Sequence, residues 1–167
     1  MVINLSNFFN SINKNSKIGD FQDLDHIDGL SISVTSANLY SKQRDDLVLF
    51  YFSKGANYAS VTTTNSIVSE TLVWNDSSHK KSIKSLMVNT KNANTFTGKQ
   101  GKESLDIIAK NLSRILTLKE SKSEGGTSET VRIKDLIFAS TGVIGEQFPV
   151  DKIKDTLPDL VLSLIHI

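Results

Sequence analysis

The stretch Ile133-Lys-Asp-Leu-Ile-Phe-Ala-Ser-Thr-Gly-Val-Ile-Gly-Glu146 carries the decisive pattern. Ile133–Ala139 reads as a buried strand, and it breaks abruptly at Ser140-Thr141-Gly142. A strand that stops at Thr-Gly can aim a hydroxyl and a bare backbone N–H outward from the end of its sheet. Two such donors converging on one point form an oxyanion hole, which stabilises charge developing on a carbonyl oxygen during acyl transfer. Glycine matters because no Cβ obstructs close approach to its amide. The same residues also suit a plain turn with glycine at positive φ.

Upstream of this strand, Lys119–Thr130 (KESKSEGGTSET) has the composition of a solvated loop, without a residue that could join a core. Before it, Leu105, Ile108, Ala109, Leu112, Ile115 and Leu116 form one apolar stripe at helical spacing, with Gly101 just ahead. Five short runs precede that helix: Leu30–Val34, Leu47–Phe52, Tyr58–Thr63, Ile67–Trp74 and Ile83–Asn89. Each is rich in β-branched or aromatic residues and is bounded by polar residues or Gly. Asp45-Asp46 and Lys54-Gly55 are expected turns on either side of the second run. Downstream, Pro149 and Asp151 open an amphipathic segment with Ile153, Leu157, Leu160 and Val161, expected to be interrupted at Pro158. The fold expected is α/β (α+β), a layered sandwich whose mixed or antiparallel sheet carries helices on a face. At the N-terminus, Leu5, Phe8, Phe9 and Ile12 follow the i, i+3, i+4, i+7 spacing of a short amphipathic helix, so residues 1–27 are expected to form a helix or arm.

The 167 residues suit one domain, and 19 Lys+Arg against 18 Asp+Glu leave a net charge of +1. That balance argues against a broad electrostatic grip on nucleic acid or anionic lipid. The absence of cysteine excludes disulfides, thiolate zinc sites and thiol nucleophiles. Residues 1–20 hold no basic n-region or uninterrupted apolar h-region, and the strongly apolar run Leu47–Phe52 is far short of a membrane span. A soluble cytoplasmic protein is expected. His26, His79 and His166 lie far apart in sequence and form no ligand pair, so no metal site is expected, nor any cofactor. Gly98-Lys-Gln-Gly101-Lys-Glu103 lacks the spacing of a phosphate-binding loop, and no G-x-S-x-G elbow occurs.

A second stretch leaves a predicted strand through amides and glycines and enters the long helix: Val88-Asn-Thr-Lys-Asn-Ala-Asn94, then Thr97-Gly98-Lys-Gln-Gly101. Asn92 and Asn94 are candidate backbone anchors. With Ala59-Ser-Val-Thr-Thr-Thr-Asn65 before it and Ala139-Ser-Thr-Gly-Val-Ile-Gly-Glu146 after it, the chain over residues 28–161 closely resembles the bifunctional ornithine acetyltransferase/N-acetylglutamate synthase family of arginine biosynthesis. The family patterns run A-G-V-F-T-T-N, V-N-S-G-N-A-N with T-G-x-x-G, and A-S-T-G-V-I-G-E. Here Ser60 stands for a glycine, Thr62 for an aromatic residue, and Thr90-Lys91 for Ser-Gly.

The resemblance implies a self-processing, N-terminal-nucleophile-like acyltransferase fold, made as one precursor that cuts itself before a threonine into α and β chains. It implies acetyl transfer from N-acetylornithine to glutamate, with acetyl-CoA as a further donor in some members, and an assembly of two α and two β chains. Carried onto this chain, Thr141 (hydroxyl) and Gly142 (N–H) would be the oxyanion hole. The nucleophile is not expected here: Thr71, Thr117 and Thr156 each precede Leu but follow Glu70, Leu116 and Asp155, whereas the family cuts after a small residue. Residues 28–161 would then be the α-chain portion. The last six, Leu162-Ser-Leu-Ile-His-Ile167, are what a common transposon adapter encodes in one frame, and are expected to be a non-native tail. A related self-processing aminopeptidase-like hydrolase and a non-catalytic module that merely retains the turn are the alternative readings.

Overall fold

The computed structural model describes residues 27–77, 82–122 and 130–166. The expected N-terminal helix and the centre of the 119–130 loop lie outside them. Strands β1 (Leu30–Thr35), β2 (Leu47–Asn57) and β3 (Ser82–Asn89) pair antiparallel in chain order, and β4 (Leu136–Ser140) runs parallel to β3. A two-residue strand β5 (Ile165–His166) adds to β1, giving the order β4-β3-β2-β1-β5. The sheet is therefore mixed. Parallel pairing needs a long crossover, which helix α2 (Gly98–Lys122) provides between β3 and β4. Two further helices are α1 (Glu70–Ser77) and α3 (Val150–Leu162).

Period-two alternation sends Leu47, Leu49 and Tyr51 of β2 to one face, where register places Leu49 beside Met87 and Met87 beside Phe138. Onto this face α2 brings Leu105, Ile108, Leu112 and Leu116, and α3 brings Ile153, Leu157 and Leu160, all in one buried core. Each such side chain contributes about 1.5–3 kcal/mol by leaving water. The β1–β2 connection is held from within by Asp46, which is buried. Its carboxylate accepts the Ala37 N–H at 2.6 Å and the Leu39 N–H at 2.8 Å.

Several sequence expectations are corrected. Lys54-Gly55 is no turn: β2 continues to Asn57 through a register irregularity between Tyr51 and Ala56, with Gly55 at φ +76°. Tyr58–Thr63 forms no strand; Val61 is fully exposed, and β-formers without a pairing edge gain nothing from extension. Ile67–Trp74 contributes most of α1 instead of a strand. Its aromatic residue serves a tertiary contact: Trp74 donates from Nε1 to the Leu136 carbonyl at 3.0 Å and meets the Phe138 ring edge-on. Asn75 next to it bonds both backbone groups of Phe138, Nδ2 to O at 2.8 Å and N to Oδ1 at 3.0 Å, mimicking a neighbouring strand on the outer edge of β4. Gly101 lies within α2, which also extends through residues 119–122 of the expected loop. Ile133–Asp135 is a 3-10 turn, so β4 begins only at Leu136. Pro158 does not interrupt α3: it lies on the exposed side, where water can serve the carbonyl it leaves without a donor.

Candidate active site

The parallel pairing of β3 and β4 sets Asn89 and Ser140 side by side as the last residues of both strands. The buried Asn89 ties the two ends together. Its Oδ1 accepts the Ser140 hydroxyl at 2.6 Å, its Nδ2 donates to the Asn92 carbonyl at 3.0 Å, and its own carbonyl accepts the Thr141 N–H at 3.0 Å. Thr141 thus leaves the sheet end with its backbone fixed. Among the described residues no protein group bonds the Thr141 hydroxyl or the Gly142 N–H, and both residues are exposed.

Gly142 sits at φ +130°, and a Cβ there would come within 2.1 Å of the Lys91 carbonyl oxygen. The expected reason for glycine was room for a ligand; the decisive neighbour is the backbone of Lys91. Beyond it the two motifs are laced together. Val143 N–H donates to the Lys91 carbonyl at 2.7 Å, Ala93 N–H to the Val143 carbonyl at 3.0 Å, and Gly145 N–H to the Thr95 carbonyl at 2.9 Å. Lys91 Nζ also reaches Glu146, 2.9 Å from Oε2 and 3.2 Å from Oε1.

The amide-rich loop is shaped by Asn94, fully buried. Its Oδ1 accepts the Thr97 hydroxyl at 2.8 Å and its Nδ2 donates to the Gly101 carbonyl at 3.3 Å. Gly101 is required because a Cβ would overlap Thr97 Oγ1 at 1.9 Å and Asn94 Oδ1 at 2.5 Å. The N-x-x-T-G-x-x-G spacing therefore builds the start of α2. Ser69, just before α1, and Glu70, its first residue, brace the loop, Ser69 Oγ to the Ala93 carbonyl at 2.9 Å and Glu70 N–H to the Asn94 carbonyl at 2.9 Å. Lys91, Asn94 and Phe96 all have positive φ, which asparagine tolerates and the other two adopt only under constraint.

The structure thus joins the 88–101 and 139–146 motifs and gives the anchors Asn92 and Asn94 definite partners; Asn92 Nδ2 donates to the Gln147 carbonyl at 3.4 Å. The 59–65 motif is not brought to them: it is exposed, and its hydrogen bonds are local, as in Asn65 N–H to Thr63 Oγ1. Sequence reasoning missed Asn89 as the central tie, although its place at the strand end beside other amides was a usable signal. No three His, Asp or Glu residues among those described converge to hold a metal ion. No helix among them is long and apolar enough to cross a membrane.

Residues 31–165 match the model of the ArgJ family. The chain belongs to that family. It is 31% identical over 146 residues to the arginine biosynthesis bifunctional protein ArgJ of Nitrobacter winogradskyi and 30% identical over 142 residues to that of Bartonella henselae. In both comparisons 84% of this chain is matched, and the chain spans 32% of the relative's length. Its fold is that of solved ArgJ structures. The ornithine acetyltransferase of Mycobacterium tuberculosis, solved in complex with ornithine, superposes with a TM-score of 0.73 at 21% identity, covering 83% of this chain and 68% of that one. The ArgJ protein of Bacillus halodurans gives 0.67 at 23% identity, with 78% and 62% covered. In this ArgJ-family chain, the paired strand ends present two uncommitted donors held by neutral amides and one compensated ion pair.

Proposed function

We propose that this chain is the N-terminal, α-chain part of a glutamate N-acetyltransferase that moves acetyl from N-acetylornithine to glutamate, and that Thr141 and Gly142 form its oxyanion hole. The observation that carries the proposal is the Gly142 amide, locked on the Lys91 backbone and without an acceptor among the described residues, directly after Thr141 in the chain. Membership of the ArgJ family and the ornithine-bound state of one solved structure with the same fold support the substrate class.

The nucleophile is assigned to a threonine at the start of the downstream β chain, whose free amine takes the proton from its own hydroxyl. The hydroxyl oxygen attacks the acetyl carbonyl, whose oxygen becomes negative and rests between Thr141 and Gly142. Collapse breaks the C–N bond, returns the proton to the leaving amine and releases ornithine, with acetyl now an ester on threonine. The glutamate amine attacks that ester through the same oxyanion and regenerates the hydroxyl. Residues 28–161 supply the sheet ends, the β chain supplies the nucleophile, and the assembly contains two copies of each. Acetyl-CoA is a candidate second donor. A cytoplasmic location goes with this biosynthetic role.

The test is Thr141→Val in the full-length enzyme. Loss of one oxyanion donor costs about 3 kcal/mol of transition-state stabilisation, a fall of about a hundredfold or more in turnover. Unchanged kcat would refute the assignment, and equal turnover of N-acetylornithine with and without glutamate would identify a hydrolase.

A further inference from the structure

Lys91 grips the 141–146 segment near both ends. At its near end, the Lys91 carbonyl lies where a Gly142 Cβ would be and accepts the Val143 N–H at 2.7 Å. At its far end, the Lys91 ammonium spans both carboxylate oxygens of Glu146. The backbone adopts φ +78° to do this, a left-handed conformation that a lysine side chain disfavours and glycine accepts freely. Lysine at a glycine-like position holds that conformation only against compensating contacts. The same conformation turns the carbonyl toward Gly142, so backbone geometry and ion pair act on one segment.

We propose that Lys91 is a positioning residue: its ion pair with Glu146 clamps the Thr141–Glu146 segment against the asparagine loop and so aims the Gly142 amide and Thr141 hydroxyl. The proposal rests on the oxyanion-hole reading. Lys91 touches no reacting atom; it acts through Gly142.

The experiment uses the full-length enzyme with N-acetylornithine and glutamate, comparing wild type with Lys91→Met, Glu146→Gln and the exchanged pair Lys91→Glu/Glu146→Lys. Wild-type transfer is measured first; its absence overturns the proposed function, and the clamp with it. Given transfer, Lys91→Met and Glu146→Gln are each expected to lower kcat by about tenfold with KM nearly unchanged, because misaimed donors weaken only the transition state. The exchanged pair is expected to recover most of the loss. Amide hydrogen exchange at Val143 and Gly145 should quicken in the single variants and slow again in the exchanged pair. Lys91→Gly separates positioning from folding: it relieves the left-handed backbone, so Tm should hold or rise while kcat still falls. Wild-type kcat in Lys91→Met, or no recovery in the exchanged pair, overturns the clamp and leaves the oxyanion assignment standing.

Discussion

On one face of the sheet, Leu49, Met87 and Phe138 stand in adjacent register beneath α2 and α3, none more than 2% exposed. On the other, Phe50, Leu86 and Ile137 stand in the same order, with Ile32 beside Phe50 and a second row of Val34, Val48, Val88 and Ala139. None of this second set belongs to the core that the helices close; Val34 is 48% exposed, Ile137 is buried, and the rest are half-buried. The helix-free face is the more apolar of the two, since Ser31, Ser33, Ser85 and Asn89 stand on the covered one, so composition does not decide which face the helices close; what differs is the layer on top. A sheet apolar on both faces is built to lie between two layers. This fits the proposal that a downstream part of the enzyme completes the core.

Neighbours on β2 test that contrast most directly. Leu49→Ala on the covered face should cost about 2–5 kcal/mol, read by urea unfolding, because the closed core cannot collapse onto the gap. A loss below about 1 kcal/mol would mean that the helices do not close this face as described. A smaller effect of opposite sign is expected at Ser85. Its hydroxyl is buried on the covered face without a hydrogen-bond partner among the described residues, so Ser85→Ala should stabilise by about 1 kcal/mol. Phe50→Ser, at a half-buried position of the other face, should cost the isolated chain about 1 kcal/mol, well below the loss at Leu49. The isolated chain is expected to be inactive and prone to self-association through the bare face. Phe50→Ser should therefore raise its monomer fraction on size exclusion, while weakening the full-length enzyme. An isolated wild-type chain that stays monomeric at high concentration would dissolve the contrast between the faces.

Much of the helix-bearing layer was legible because local periodicity and tertiary placement agree. The alternation of Leu47, Leu49 and Tyr51 and the stripe from Leu105 to Leu116 report the same core from both sides. Misreadings fell where a distant partner decides the conformation. The aromatic Trp74 reads as part of a strand, but it answers to the edge of β4, over sixty residues on, where Trp74 and Asn75 dock. At the site, the Thr-Gly break and the asparagine cluster were visible as motifs. Their junction was not, because Gly142 is required by the Lys91 backbone about fifty residues earlier, and Asn89 owes its role to lying beside Ser140 across a parallel pair.

The side-chain cap that Asn75 places on β4 also governs how copies of the chain could meet. With the backbone of Phe138 already engaged, an incoming strand is met more openly beyond β1, where β5 pairs with Ser31 and Ile32. Among the described residues each copy then owns a single open flank. Two copies joining flank to flank would use up both, so ribbon-like polymerisation along the hydrogen-bonding direction terminates at the pair.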